Sequence, residues 1–253
     1  MTKDLVIVAD THMTSKDAEL DGFVRFLDRV GGEAGTVAHL GDLFNIWLGR
    51  PRFEMDHMKP VLDAFRALRR RGARTILVEG NRDFHTRHSY EGDAFDDVTE
   101  DIIDVPMATG PAGSMPGSLR MAHGDLVNVN DTQYRTWRRF SKSGAMRNLV
   151  GLLPSAAGIG LAERLERKLR GTNTRHKSYF PEAPAREYAA RAFARGVRLI
   201  FLGHFHEERV IAMSPGSSYG GGGELVILPD WRSSHRFVRV TPDGRWRFED
   251  WNG

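Results

Sequence analysis

Five short polar motifs, each directly after an apolar and strand-like run, constrain the fold of this chain more than any other feature. Side chains that bind ligands in α/β proteins gather at the carboxyl ends of strands. The runs predicted to be strands are Leu5–Ala9, Thr36–Leu40, Thr75–Glu79, Leu119–Ala122 and Leu199–Leu202. The polar residues that follow them are Asp10 and His12, then Asp42, then Asn81, Arg82 and Asp83, then His123 and Asp125, and finally His204 and His206. We therefore expect an α/β fold in which five strand ends meet at one site.

The chemistry of these motifs predicts a site for two divalent metal ions. Carboxylate, imidazole and amide ligands suit Mn²⁺, Fe²⁺ or Zn²⁺, and the absence of cysteine excludes a thiolate site. Taken singly, each motif is more typical of an ordinary turn or strand. All five together favour a two-metal hydrolase, in which ions about 3.5–4 Å apart share a bridging carboxylate, bind a phosphoryl group and activate water. We assign the bridge to Asp42, because its strand is expected to lie centrally between the other ligand loops.

The remaining pattern alternates between strands and helices in the first half and is rich in strands at the end. Helices are predicted near Asp17–Val30 and Asp56–Arg71, where apolar residues recur at helical spacing. Further strands are predicted at Val197–Leu202, Arg209–Met213, Glu224–Leu228, Phe237–Thr241 and Arg245–Glu249. Gly220–Gly223 is interpreted as a turn, because no helix follows that would make it a phosphate loop. Two packed sheets with helices outside them are the expected architecture.

Helical sequence dominates Asp131–Arg195, where prolines 154, 181 and 184 are expected to break it. With no internal repeat or linker, the chain is predicted to be a single domain over residues 1–253, with a helical insertion at about 131–195.

The charge of the chain is unevenly distributed. Its formal net charge is only +3, yet residues 135–177 hold eleven Lys/Arg against two Asp/Glu. Such an excess indicates an anionic partner for that segment. The stretch Glu91–Asp104 contains seven carboxylates and is predicted to be a solvated face without a function.

The cellular location expected from the sequence is cytoplasmic. The chain enters strand-like sequence by Leu5 without a recognisable signal peptide, and it has no cysteine. No apolar run approaches the length of about 18 residues that a membrane span requires.

The motif order resembles that of the calcineurin-like metallophosphoesterase superfamily. Longer stretches resemble the UDP-2,3-diacylglucosamine diphosphatases of lipid A biosynthesis within it. Those stretches are Gly41–Gly49, Gly80–Phe84, His123–Tyr134 and Leu228–Trp231, in a similarity that runs from Leu5 to about Val240. The arginine at position 82 and the pair Asp131 and Tyr134 point to this narrower group. The chain departs from it at Asn128-Val129 and at Arg50-Pro51.

The resemblance implies a four-layer αββα sandwich of two mixed sheets that holds two divalent ions, with Mn²⁺ as the expected metal. The ligands it implies are Asp10, His12, Asp42 and His206 for one ion and Asp42, Asn81, His123 and His204 for the other. Asn81 and Arg82 are the implied catalytic residues. Many relatives carry histidine at position 82, which could protonate a leaving alkoxide, whereas arginine keeps its proton near neutral pH. Arginine can instead bind phosphate oxygens in a bidentate fork, which suits a good leaving group such as a sugar phosphate.

The helical insertion has two interpretations. Its apolar residues, from Trp137 and Phe140 to Leu169, interleave with the basic ones. They are either ordinary amphipathic helices that pack on the core, or a basic apolar cap that meets an anionic inner-membrane surface or shelters acyl chains. The second interpretation makes the protein peripheral at the inner membrane. Nucleic acid is the rival partner, but the apolar Gly-Leu-Leu-Pro run at 151–154 favours lipid over base stacking.

Three functional hypotheses follow. The first is a metal-dependent hydrolase that cleaves UDP-2,3-diacylglucosamine, a lipid-linked UDP-sugar, to UMP and 2,3-diacylglucosamine 1-phosphate. Its substrate-binding candidates are Trp47, Arg82, Asp131, Tyr134, Arg170 and Lys177. The second is a metallophosphoesterase that acts on another nucleotide or phosphodiester. The third is an inactive family member that serves as a binding scaffold, which is disfavoured because no ligand is missing.

Overall fold

Two mixed β-sheets lie at the centre of the fold, and helices cover their outer faces. The computed structural model describes residues 3–15, 18–107, 117–169, 180–214 and 222–253. The strands are β1 Leu5–Val8, β2 Thr36–His39, β3 Arg74–Val78, β4 Asp97–Thr99, β5 Ile102–Pro106, β6 Ser118–Ala122, β7 Val197–Leu202, β8 Arg209–Met213, β9 Gly223–Ile227, β10 Arg236–Val240 and β11 Trp246–Asp250. The helices are α1 Leu20–Glu33, α2 Met58–Arg70, α3 Arg87–Tyr90, α4 Thr132–Ser141, α5 Gly144–Gly151, α6 Ser155–Leu169, α7 Glu182–Phe193 and α8 Trp231–Ser234, with a 3-10 turn at Pro51–Phe53.

The strand order places the five motif-bearing strands inside the two sheets. The first sheet runs β11-β10-β1-β2-β3-β4, and β1 to β4 are parallel to one another. The second runs β5-β6-β7-β9-β8, in which β6, β7 and β9 are parallel and both edge strands are antiparallel to their neighbours. These two mixed sheets confirm the predicted fold class.

Side-chain alternation along the strands builds the layers. In β1, Val6 and Val8 belong to a core with Phe23 and Phe26 of α1. Leu5 and Ile7 belong to a second core, which is shared with residues of β6 and β7. This period of two places one set of side chains under the helices and the other between the sheets. Helix α7 covers the outer face of the second sheet, which completes the helix–sheet–sheet–helix sandwich.

Two strands within the acidic stretch were missed by the sequence analysis. β4 and β5 are edge strands of the two sheets, where charged side chains are tolerated because one side faces solvent. The stretch is therefore not simply a solvated face. Its carboxylates form ion pairs with arginines: Asp93 with Arg66, Asp96 with Arg69, Asp97 with Arg74, and Asp104 with Arg120.

Other differences from the predicted elements are small. Most boundaries shift by one to three residues, and residue 17, the predicted start of α1, lies outside the described residues. Pro184 does not break a helix, because it lies in the first turn of α7, where its missing N–H is tolerated. Of the predicted turn at 220–223, residues 220 and 221 lie outside the described residues, and Gly223 begins β9.

The predicted insertion divides into two parts. Helix α7 packs on the second sheet, so the described cap consists of α4, α5 and α6. Part of the cap packs on the core through Ala162, with Val150 and Leu153 beside it. The first interpretation, amphipathic helices that pack on the core, therefore holds for this subset, and the second stays a prediction.

Candidate metal centre

The structure brings the seven predicted metal ligands together at the carboxyl ends of five strands. They follow β1, β2 and β3 in the first sheet and β6 and β7 in the second. The residues are Asp10, His12, Asp42, Asn81, His123, His204 and His206. They form two groups, and the carboxylate of Asp42 lies between them.

The first group consists of Asp10, His12 and His206. The Nε2 atoms of the two histidines are 3.3 Å apart, and His206 Nε2 is 3.5 Å from Asp10 Oδ1. His12 Nε2 is 3.8 Å from Asp10 Oδ1 and 3.8 Å from Asp42 Oδ2. Four potential ligand atoms thus converge from three different strand ends.

The second group consists of Asn81, His123 and His204. Asn81 Oδ1 is 3.1 Å from both His123 Nε2 and His204 Nδ1, and these two nitrogen atoms are 3.2 Å apart. His123 Nε2 is 3.7 Å from Asp42 Oδ1. Because Asp42 turns one oxygen towards each group, its orientation suits a carboxylate that bridges two ions.

The donor set fits divalent cations. Asp10 Oδ1 is buried and accepts no hydrogen bond, although buried polar atoms rarely lack a partner. Asp10, His12 and His206 form one cluster of potential ligand atoms within 4.8 Å of one another, and Asp10, Asp42 and His123 form another. Imidazole nitrogens with carboxylate and amide oxygens are the ligands expected for Mn²⁺, Fe²⁺ or Zn²⁺.

Backbone strain is concentrated at the ligands. Five of them have φ between 45° and 71°: Asp10, His12, Asp42, His204 and His206. This left-handed conformation is uncommon for residues other than glycine and persists only where the surrounding structure imposes it. Hydrogen bonds between the first two loops help to hold it, from Asp10 N to Gly41 O at 3.1 Å and from His12 N to Asp42 O at 2.9 Å.

The protonation states of two histidines and one carboxylate suit metal binding. The pKa of His204 is lowered to about 4, chiefly by burial and then by the charge of His123. Burial also holds the pKa of His12 well below its usual value. Burial acts to raise the pKa of Asp10, but the combined attraction of His206, His123 and His12 outweighs it and the net pKa is lowered. Two imidazoles are therefore neutral and one carboxylate is charged near pH 7. Burial raises the pKa of Asp42, and a cation beside it would favour its charged form.

A backbone carbonyl fixes the tautomer of His123. Its Nδ1 donates to Leu40 O at 2.7 Å, because a carbonyl oxygen can only accept. In the neutral ring, the lone pair of Nε2 then points into the second group. Such partners orient a metal-binding histidine and raise its basicity.

Asp83 is a supporting residue that the sequence analysis did not include in the site. It is fully buried, and its Oδ2 accepts from Asp42 N at 2.7 Å and from Gly80 N at 2.9 Å. Burial, and then the charge of Asp42, raise the pKa of Asp83 to about 7. The one indication of this role in the sequence is that Asp83 belongs to the third motif, together with Asn81 and Arg82.

Arg82 lies beside the carboxylate of Asp42. It is only 7% exposed, and its backbone N donates to Asp42 Oδ1 at 2.8 Å. Its positive charge acts on the pKa values of both His12 and Asp42. The guanidinium charge therefore acts on both groups of predicted ligands.

Trp47, which was predicted to bind substrate, has a buried side chain. Its side chain is 1% exposed and packs in the first core against Phe44, Tyr90 and Phe95. The Trp47 backbone instead pairs with the loop that follows β3, since its N donates to Arg82 O at 2.8 Å. The buried indole therefore packs in the core, while the backbone of Trp47 supports the loop that carries Asn81.

The other substrate-binding candidates are placed differently from one another. Asp131 is exposed and caps α4, where its side chain accepts from Tyr134 N at 2.9 Å. The Tyr134 hydroxyl donates to Asp125 Oδ2, two residues beyond a metal ligand. Arg170 and Lys177 lie outside the described residues.

Gly80→Ala should disrupt the metal centre. An added Cβ would lie 2.6 Å from the backbone N of Asp42 and would also overlap Asp42 Oδ1. Displacement of the bridging carboxylate should lower Mn²⁺ affinity about 10–100-fold, the range typical of perturbed ligand orientation. Calorimetric Mn²⁺ titration measures this change. Gly160→Ala, where an added Cβ meets nothing within 4 Å, is the control and should leave affinity unchanged.

Comparison with known proteins identifies relatives along nearly the whole chain. The calcineurin-like phosphoesterase family model matches residues 4–208. The UDP-2,3-diacylglucosamine hydrolase of Chromohalobacter salexigens is 24% identical over 240 residues, which cover 94% of this chain and 93% of that protein. The protein of the same name from Actinobacillus succinogenes is 26% identical over 242 residues, 93% of this chain and 94% of its own. A solved structure titled GAP50, the anchor in the inner membrane complex of Plasmodium, aligns over 98% of this chain and 84% of its own at 9% identity and a TM-score of 0.43.

Proposed function

Since the chain belongs to the calcineurin-like phosphoesterase family, we propose that it hydrolyses the diphosphate of UDP-2,3-diacylglucosamine to UMP and 2,3-diacylglucosamine 1-phosphate. The observation that carries this proposal is the pair of buried ligand groups on either side of Asp42, with Arg82 beside them. An anionic phosphoryl group is the ligand that such a site attracts. The relatives named UDP-2,3-diacylglucosamine hydrolase, which match over more than nine-tenths of the chain, support the choice of substrate.

Calcineurin-like phosphoesterases use two divalent ions, and this chain has candidate ligand groups for them. We propose Asp10, His12, Asp42 and His206 as the ligands of one ion and Asp42, Asn81, His123 and His204 as those of the other, with Mn²⁺ as the native metal. When bound, such ions polarise the phosphoryl group and lower the pKa of a coordinated water towards neutrality. The protein holds the ligands in place, keeps the imidazoles of His12 and His204 neutral and shapes the site around the scissile diphosphate.

Arg82 supplies a second kind of stabilisation in this proposal. A guanidinium can donate two parallel hydrogen bonds to phosphate oxygens and stabilise the charge that develops on them. It retains its proton at neutral pH and so does not act as a general acid. The sugar phosphate is a good leaving group and needs no proton from the protein. Asn81 orients the same phosphoryl group from the neighbouring position in the chain.

The surface of the cap favours an acylated substrate over a soluble one. Among the described residues, seven large hydrophobic side chains are markedly exposed, and four of them belong to α4, α5 and the residue after α5. These four are Trp137, Phe140, Leu149 and Leu152, and Leu152 is 82% exposed. We call them the apolar cap face. Exposed apolar side chains interleaved with basic ones are typical of surfaces that meet lipid.

The proposal places this cap face against an anionic inner membrane. The protein would act as a single domain over 1–253, with the cap within about 131–195, and would be a cytoplasmic, peripheral membrane enzyme. No helix in the described ranges is both long and apolar enough to cross a bilayer. Nucleic acid is not a partner in this proposal.

The test of substrate class compares kcat/KM for three compounds in detergent: UDP-2,3-diacylglucosamine, UDP-N-acetylglucosamine and a bis-aryl phosphodiester. Each methylene buried against the cap contributes about 0.8 kcal/mol, so the acylated substrate should be preferred by orders of magnitude and should release UMP. Equal rates on all three, or a preference for the soluble esters, would favour the alternative metallophosphoesterase activity on another nucleotide or phosphodiester.

A paired substitution connects that preference to the cap. The Leu149→Gln/Leu152→Gln variant should lose activity on the acylated substrate and keep its rate on the soluble ester, because only the former contacts the apolar cap face. Val210→Gln is the matched control, since Val210 is also exposed but lies on the edge strand β8. An equal loss for both substrates in the leucine variant would contradict acyl-chain binding by this face.

A further inference from the structure

Helix α4 is joined to the metal centre by two buried ion pairs. Their basic partners are Arg138, in the last turn of α4, and Lys142, the residue that caps its C-terminus. Each pairs with a carboxylate close in sequence to a proposed ligand of the second ion. The helix that carries Trp137 and Phe140 of the apolar cap face is therefore also connected to the metal centre.

The first pair closes the loop that carries Asn81. Lys142 Nζ lies 2.8 Å from Glu79 Oε2, and their side chains are 4% and 0% exposed. Glu79 Oε1 accepts from Thr86 N at 2.6 Å and from Thr86 Oγ1 at 2.7 Å. Glu79 thus joins the two ends of the loop that contains Asn81 and Arg82. The ion pair with Lys142 connects this closed loop to the cap.

The second pair acts on the loop that carries His123. Arg138 Nε lies 2.7 Å from Asp125 Oδ2, and their side chains are 11% and 3% exposed. The hydroxyl of Tyr134, one turn earlier on α4, donates to the same oxygen. Asp125 lies two residues after His123, so its contacts with Arg138 and Tyr134 hold the His123 loop against α4.

We infer that α4 positions the ligands of the second metal ion, with Lys142 and Arg138 as positioning residues for Asn81 and His123. The inference rests on the proposed function, because it uses the ligand assignment made there. A buried carboxylate that loses its cation is strongly unfavourable and must move or find water. In the single Lys142 variant Glu79 would therefore move away from Thr86. In any variant without Lys142, the loop that carries Asn81 loses its connection to the cap and shifts, even where Thr86 keeps its contacts. Placement of the cap and assembly of the second site then depend on each other.

The experiment is a calorimetric Mn²⁺ titration of metal-free protein. The variants are Lys142→Met and the double variant Glu79→Gln/Lys142→Met. Glutamine is neutral and can still accept from Thr86, so the double variant removes the uncompensated charge and should fold even if the single variant does not. We expect the second Mn²⁺ to bind about 10-fold more weakly in both, the lower end of the range for lost supporting contacts, and the first Mn²⁺ to bind as in the wild type.

Lys59→Met is the matched control. Lys59 also lies 2.8 Å from a carboxylate oxygen, that of Asp56, but this pair is exposed and distant in sequence from the ligand loops. It should leave both binding steps unchanged. If the double variant binds both ions as the wild type does, the inference is wrong but the proposed function is unaffected. Wild-type protein that takes up fewer than two ions would contradict the proposed function, and the inference with it.

Discussion

Asp42→Ala is expected to abolish turnover. Its two oxygens face the two ligand groups, 3.8 Å from His12 Nε2 and 3.7 Å from His123 Nε2, so one substitution removes a ligand from both ions. Loss of a bridging carboxylate disturbs the separation of the ions as well as their affinity, and both are needed to bind the phosphoryl group and activate water. Activity on UDP-2,3-diacylglucosamine and metal content by elemental analysis are the measurements.

Wild-type protein should carry close to two divalent ions, and activity lost on chelation should return when Mn²⁺ is added. Asp56→Ala is a suitable control, because its side chain is 99% exposed, and it should retain full activity. Near wild-type activity in Asp42→Ala, or an active enzyme without metal, would show that the site assignment is wrong.

Arg82→Ala is expected to lower kcat by about 10²–10³-fold, the range for removal of one donor that stabilises developing charge. Metal content should stay at the wild-type value, because in this proposal the Arg82 side chain meets the phosphoryl group and is not a metal ligand. Steady-state kinetics and metal analysis of the same preparation separate the two effects.

Two further variants sharpen this prediction. Arg82→Lys keeps the charge but loses the planar fork, so it should recover only part of the rate. Arg87 is a nearby and exposed arginine that pairs with Glu91, and Arg87→Ala should leave kcat nearly unchanged. Loss of metal in parallel with activity in Arg82→Ala would instead make Arg82 a structural part of the ligand loop.

The ligand set was accessible from sequence because each ligand belongs to a short local pattern. A strand of alternating or apolar residues ends, and a carboxylate, amide or imidazole follows within a few positions. The carboxyl ends of parallel strands meet at one edge of a sheet, so the order of motifs predicted convergence without any knowledge of distance. The structure does bring all seven together. Their assignment as ligands remains a prediction that Asp42→Ala tests.

The residues that support the ligands were not accessible in the same way. Glu79 and Lys142 are 63 positions apart, and nothing near either residue indicates its partner. Trp47 belongs to a stretch that resembles a known family, but only the packing of Phe44 and Tyr90 around it shows that the indole is buried. Short edge strands such as β4 carry charged residues on the side that faces solvent and show no clear apolar alternation. They were therefore not predicted from the sequence of the acidic stretch.

The sequence by itself determined which chemical groups the site contains and the strand ends at which they occur, because those properties are set by residue identity and local periodicity. Only the tertiary structure decided how the groups face one another. The left-handed backbone at five ligands, the two-sided orientation of Asp42 and the tautomer of His123 all depend on hydrogen bonds between loops from different strands. The same holds for the cap, whose apolar residues look alike in sequence. Packing against the core buries one subset and leaves Trp137, Phe140, Leu149 and Leu152 exposed, since burial is a property of the neighbours that long-range contacts bring to a residue.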